Sequence, residues 1–225
     1  MTAPTGDTGR WLVPGEGVVL FGAGDHSRSL ADVLHRLGCP VEAVVDRRPT
    51  DEWPLVLGSD VDGQRFARER GLAALVGIGS NAVRLALVEE LRSVGLRVPA
   101  LVASTATVSH TAEIGPGSVV LEHAHVGPRA SLGTGVIVNT GAIIEHDCTV
   151  TDGVHCAPGS VLAGGVVVGR LAFLGTGSAV TPLCRVGEGA VVGAGAAVVR
   201  DVPAGATQVG VPAHRGSGTV DEPLP

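Results

Sequence analysis

The sequence predicts two architectures in series, a small α/β unit followed by a parallel β-helix, and three observations carry that prediction. From Val102 onward an aliphatic residue recurs every six positions for 17 consecutive steps, with Cys156 the single non-aliphatic member. Four residues after each step comes a small or β-branched residue, such as Ala106, Ser118, Ala142, Cys148 and Val154. Composition changes near residue 100, from 11 Arg and 13 acidic residues before it to 5 and 9 after it, where Gly, Ala and Val dominate. A fixed period of six marks a hexapeptide solenoid, in which three steps close one triangular coil.

The 225 residues and 44% hydrophobic content allow two domains with buried cores. A net charge of -6 without any Lys, and with Arg47-Arg48 the only adjacent basic pair, argues against nucleic acid or an anionic membrane as partner. Cys39, Cys148, Cys156 and Cys184 show no metal spacing and are expected reduced and packed. No apolar run reaches membrane-spanning length and no signal pattern opens the chain, so a cytoplasmic protein is expected.

In chain order, residues 1–15 read as a loosely held arm. Val18 to Phe21 reads as a buried strand, followed by Gly22-Ala23-Gly24-Asp25-His26-Ser27 and then Leu30, Val33, Leu34 and Leu37 at helical spacing. Residues 41–46 read as a second strand, completing a β-α-β unit. A glycine-rich turn at a helix N-terminus offers backbone N–H groups to a phosphate or another polar ligand group. The dinucleotide fingerprint has a third glycine where this chain has Ser27, so a complete NAD site is not expected. Asp46, closing the second strand, fits contact with a nucleoside. The plainer alternative is a tight turn with His26 capping the helix. Residues 72–78 read as a strand, 81–94 as a helix with Leu85, Val88 and Leu91 inward, and 98–102 as an exit strand. Between the second strand and residue 72, residues 55–57 read as a short strand and a helix starts near Val61.

Within the solenoid the phase turns spacing into geometry. His146 falls two positions after inward Ile144, at a corner, beside Glu145 and Asp147. His155 falls one position before inward Cys156 and points outward from the face opposite that corner, as does Asn139. His146 and His155 therefore do not meet within one subunit, and a trimer with sites between subunits is predicted. Gly164 lies 18 residues after His146, one coil above it at the same corner, about 4.8 Å away. Histidine is a base suited to neutral pH, and a carboxylate on its other ring nitrogen fixes the tautomer; Asp147 is the first candidate and Glu145 the second. Cys148, Cys156 and Cys184 occupy inward phases.

With Gly22-Ala23-Gly24-x-His26, Asn139-Thr140, Glu145-His146-Asp147-Cys148 and His155 set in a hexapeptide repeat, residues 18–213 resemble the left-handed β-helix acyltransferases. Within these the chain is similar to the sugar acetyltransferases with a small N-terminal α/β domain, which include UDP-4-amino-sugar N-acetyltransferases and sialic-acid O-acetyltransferase-like proteins. The resemblance implies the left hand, a Rossmann-like nucleotide-sugar domain over 17–100 and a β-helix domain over 101–213; the Gly- and Pro-rich residues 214–225 are expected to form a disordered tail. It implies an acetyl-CoA-dependent N-acetyltransferase working as a homotrimer by direct transfer in a ternary complex. His146 is then the general base, with Asp147 and Glu145 beside it. His155, Gly164 and Gly175 face acetyl-CoA, Asn139 faces the substrate, and Gly22, Gly24, His26, Asp46 and Arg47 form the nucleotide-sugar pocket.

Arg47 stands where many relatives carry a second acidic residue, and Asp25 where they carry glycine, so a base other than uracil, or an acceptor without UDP, is open. Sugar O-acetylation, acylation of a non-nucleotide molecule and a silent scaffold are the alternatives. His110 and His146, 36 residues apart, match two zinc ligands of γ-class carbonic anhydrases, but Thr151 occupies the third position and no metal is expected.

Overall fold

Four apolar residues in a row leave a strand no polar face for water, and Val18–Phe21 accordingly forms a central strand, β1, buried along its whole length. In the computed structural model, which describes residues 11–47, 53 and 55–216, β1 is followed by α1 (Asp25–Arg36), β2 (Val41–Val45), β3 (Val56–Leu57), α2 (Asp60–Arg70), β4 (Ala73–Val76) and α3 (Asn81–Ser93). All four strands are parallel, in the order β3-β2-β1-β4. The Ser59 side chain caps α2 by accepting from the Asp62 N–H, and left-handed Gly71 ends it.

Two expectations change here. Of the proposed arm, residues 1–10 lie outside the described residues, but Trp11 bridges to Ala100 and the Leu12 N–H donates to the Ala100 carbonyl at 2.9 Å. Leu12 is buried in the core, which fixes residues 11 and 12 to the body. The exit strand shrinks to Leu101–Val102 (β5), which is the first rung of the solenoid and not a fifth strand of the α/β sheet.

From β5 to β21 (Ala197–Val198) a two-residue strand recurs every six residues, and its second member is the aliphatic residue of the repeat. Strands beginning at 101, 119, 137, 155, 173 and 191 stack as a first sheet, those at 107 to 197 as a second, and those at 113 to 185 as a third. All pair in parallel, and the whole is a left-handed β-helix of about 6 turns. Fully buried Val120, Val126, Val138, Ile144, Cys156 and Leu162 fill its axis. After β22 (Thr207–Val209) the chain turns back, and β23 (His214–Arg215) pairs antiparallel with it. The expected tail at 214 therefore begins as a strand; residues 217–225 lie outside the described residues.

The helix α3 joins the two parts by lying along a column of glycines one coil apart. Gly117, Gly135 and Gly153 have φ of 65°, 62° and 66°. A Cβ at Gly117 would stand 2.7 Å from Val88, and one at Gly153 would stand 3.0 Å from Leu85. At Gly117 and Gly153 only glycine lets the helix settle this close, whereas a Cβ at Gly135 would stand 3.7 Å from Leu85.

Candidate active site

At the corner between the second and third sheets, β12 (Ile143–Ile144) ends and the chain turns through Glu145, His146 and Asp147 before Cys148 points inward. Asp147 makes the turn with φ 61°. Its Oδ2 lies 2.8 Å from His146 Nδ1, while its Oδ1 accepts from Arg129, 2.7 Å from Nε and 2.6 Å from Nη2. The hydrogen bond from His146 and then that from Arg129 hold the Asp147 carboxyl below its usual range. A carboxylate only accepts, so Nδ1 carries the imidazole proton and Nε2 keeps a lone pair. Glu145 makes no side-chain hydrogen bond among the described residues, which leaves Asp147 as the partner.

Gly164 stands directly over this ring. A Cβ at Gly164 would fall 2.6 Å from both Cε1 and Nε2 of His146, and the Gly165 N–H donates to the His146 carbonyl at 2.9 Å. The Gly164 N–H has no acceptor among the described residues. A base with a free lone pair thus sits beneath an unused backbone donor, an arrangement able to take a proton from a nucleophile while stabilising charge on a carbonyl oxygen. Cys148 does not compete: its Sγ donates inward to the Ala163 carbonyl and burial pushes its thiol up. Burial pushes the Cys156 thiol up to about 12.

His155 lies in β14 (His155–Cys156) on the first sheet, across the prism from that corner. The Asn139 Nδ2 donates to its Nε2 at 3.2 Å, which assigns its own proton to Nδ1. Its ring meets the edge of Phe173 at 5.2 Å and faces the His26 ring at 6.3 Å. His26 belongs to the first turn of α1 and does not cap it, since the N-cap is Gly24. Its Nε2 is buried without a partner among the described residues. Burial, then the charge of Arg84, lowers His26 to about 4. Burial, then Arg84 and His26, lowers His155 to about 3. Both imidazoles are neutral at neutral pH.

Arg84 is 1% exposed and has no carboxylate partner among the described residues. It donates from Nε to Gly135 O at 2.8 Å, from Nη1 to Gly79 O at 2.9 Å and Ile78 O at 3.2 Å, and from Nη2 to Gly153 O at 2.9 Å and Asn81 Oδ1 at 2.8 Å. The Asn81 amide in turn donates to Leu171 O at 3.0 Å. The sequence reading passed over Arg84, Asn81 and Arg129. A usable signal was present for the first, because Arg84 interrupts the apolar stripe of Leu85, Val88 and Leu91 on the buried side of α3.

A cleft of about 700 Å³ opens at the carboxyl ends of β1, β2 and β4, where Gly22, Asp46, Arg47 and Ile78 meet Asp60. Ala82, Val83, Ala86, Leu87 and Glu90 of α3 form its other wall. This is where open parallel sheets bind ligands. Asp46 Oδ2 accepts from the Ala23 N–H at 2.9 Å, so the carboxylate also braces the glycine loop. The Ser27 hydroxyl, fully buried, reaches Gly22 O at 2.7 Å and Gly77 O at 3.0 Å. Ser27 replaces the missing third glycine because the strand side yields instead: a Cβ on Gly77 would overlap Ser27 Oγ at 2.0 Å.

The predicted residues therefore fall into three groups: His146, Asp147 and Gly164 at the corner, His26, Asn139 and His155 at the junction, and Gly22, Asp46 and Arg47 in the cleft. Gly24 is a helix cap, and Gly175 is held by coil stacking, where a Cβ would stand 2.6 Å from Ala194 N.

Residues 17–91 match the PglD N-terminal domain. The chain is 36% identical to a histidine-to-asparagine variant of perosamine N-acetyltransferase from Caulobacter crescentus, solved with CoA and GDP-perosamine. That match covers 90% of this chain and 97% of the other, with a TM-score of 0.85. The acetyltransferase domain of PglB from Neisseria gonorrhoeae, in complex with acetyl coenzyme A, is 34% identical over 89% of this chain and 98% of that one, with a TM-score of 0.85. WeeI from Acinetobacter baumannii is 25% identical over 88% and 98%, with a TM-score of 0.72.

Proposed function

Because the chain belongs to the left-handed β-helix sugar N-acetyltransferases with a PglD-type N-terminal domain, and is thus an acyltransferase, we propose that it acetylates the amine of a nucleotide-linked amino sugar from acetyl-CoA. The observation that carries this reading is the His146–Asp147 pair beneath the unused Gly164 N–H. The neutral amine attacks the thioester carbonyl directly in a ternary complex, and His146 Nε2 takes the proton that the nitrogen loses. The Gly164 N–H donates to the oxygen as charge develops on it. The new C–N bond replaces the C–S bond, and the departing thiolate regains a proton from the imidazolium. The inward, high thiol of Cys148 supports direct transfer over an acyl-cysteine intermediate.

The cleft with Gly22, Asp46 and Arg47 takes the nucleotide end, and Asn139 and His155 contact the sugar and the acetyl end. Neutral His26 and His155 suit hydrogen bonding to an uncharged ligand group. Since the corner of His146 and the face of His155 lie on opposite sides of one prism, each site is completed between two copies of a homotrimer. Four free thiols and the use of acetyl-CoA fit a cytoplasmic enzyme.

The test is turnover with acetyl-CoA and GDP-perosamine first among a panel of nucleotide-linked amino sugars. The expected product is an amide stable to mild base; a base-labile ester would replace the reading with O-acetylation. His146→Ala should lose about 100-fold or more in kcat while still binding CoA by calorimetry. Turnover close to wild type in that variant would remove His146 from the mechanism.

A further inference from the structure

Arg129 and Asp147 occupy the same corner in successive coils and both adopt the left-handed backbone, with φ of 57° and 61°. Most such corners carry glycine, as at Gly135, Gly141, Gly153, Gly159 and Gly177, where this conformation meets no Cβ, and five carry a side chain: His123, Arg129, Asp147, Leu171 and Leu183. Of these five, Arg129 and Asp147 are the two that bond to each other. Stability of the single chain does not account for this pair, because within one chain its side chains are 73% and 39% exposed, where ion pairs contribute little. Geometry does. The Asp147 carboxylate is divided, with Oδ1 given to Arg129 and Oδ2 to His146 Nδ1.

We propose that Arg129 is a positioning residue for the acyl transfer: it anchors Asp147 from the coil below, so that the carboxylate fixes the Nδ1–H tautomer of His146 without drawing a second proton onto the ring. This rests on the reading of His146 as the base. A carboxylate that faced His146 alone would hold the imidazole plane loosely and would favour imidazolium, which cannot accept a proton. A guanidinium on the other oxygen removes both faults. Its Nε and Nη2 converge on Oδ1 and pin that oxygen while Oδ2 meets His146, and its charge offsets part of the negative charge that imidazolium would otherwise meet. The other titratable groups around the ring are few. Glu145 precedes it on the same turn, the Cys148 thiol points inward, and His110 stands two coils below, beyond Pro128. Arg129 is the one cation paired with Asp147 among the described residues. Its own backbone is held from beneath, where the Arg129 N–H donates to Thr111 Oγ1 at 3.0 Å. The column Thr111, Arg129, Asp147 thus transmits position upward to His146.

The test is a ¹⁵N NMR titration of the His146 ring, assigned by difference from His146→Ala, in wild type, Arg129→Met and Arg129→Lys. In Arg129→Met the ring is expected to take up its second proton at higher pH, by about half a unit or more, and its neutral form to lose its Nδ1–H preference. Arg129→Lys should restore the titration but only part of the tautomer preference, because ammonium supplies the charge without the fork. Thermal melting of all three, expected to coincide within a few degrees, separates this from general loosening. A wild-type titration and tautomer in Arg129→Met would overturn the proposal while leaving the base reading intact. Wild-type turnover in His146→Ala, with the NMR shift still present, would instead overturn the base reading alone and reduce Arg129 to a modulator of a spectator ring.

Discussion

Two buried histidines make the stability of this protein sensitive to mild acid. His26 and His155, lowered to about 4 and about 3, are neutral in the fold but protonate near their ordinary value of 6.5 once unfolded. Below pH 6.5 the unfolded chain therefore binds more protons, so stability is whole above that value and falls as pH drops toward 4. Each such group costs about 1.4 kcal/mol per pH unit in that window, so the pair costs about 3. Urea midpoints between pH 7 and 4.5 should fall steeply, and His155→Gln should flatten that slope relative to wild type. Parallel slopes would show that His155 is not held neutral. The cause of the shifts is also the reason the sequence did not announce them: burial at a domain junction and the nearness of Arg84 are tertiary facts.

At the scale of the element, α3 is the part that the sequence located and under-read. Its span and its inward Leu85, Val88 and Leu91 were visible from spacing alone, as was every rung from β5 to β21 from the period of six. The phase also placed His146 beneath Gly164 and turned Cys148 inward, because a rigid repeat lets residues be counted into position. Side-chain reach is not in the count. Arg129 and Asp147 are one coil apart by arithmetic, yet their pairing depends on left-handed corners and on a long flexible side chain. Arg84 shows in the spacing only as a charge set on the apolar stripe of α3, and the carbonyls it reaches appear once the helix is laid on the solenoid. The departures at the ends, Leu12 in the core and the strand pair Thr207–Val209 with His214–Arg215, lie outside the repeat and had no period to betray them. Arg84 holds carbonyls of both parts, including Gly79, Gly135 and Gly153. Arg84→Met keeps the bulk but strands those acceptors, each worth about 1–3 kcal/mol when left unpaired and buried. The expected result is a loss of about 3 kcal/mol or more in urea unfolding; an unchanged midpoint would show that the junction does not depend on that guanidinium.

For the whole molecule, the separation of His146 from His155 on opposite sides of the prism makes assembly a condition of activity in the proposed trimer. His146→Ala and His155→Ala, each inactive alone, should complement when co-expressed, since a mixed assembly contains sites built from one intact corner and one intact face. Random mixing at equal amounts gives roughly a quarter of sites intact. Activity no higher than that of either single variant would place both histidines in one subunit's site or one of them outside it.

The six-residue step has a consequence for how such a chain can change length. Every residue of the corner and the face is addressed by its remainder on division by 18, so the solenoid behaves as a graduated ruler. Adding a full coil beyond Val186 would preserve every address below it, whereas removing one residue between His146 and His155 would turn the apolar phase outward for all that follows. The molecule can grow in whole coils at its far end, and almost nowhere by single residues.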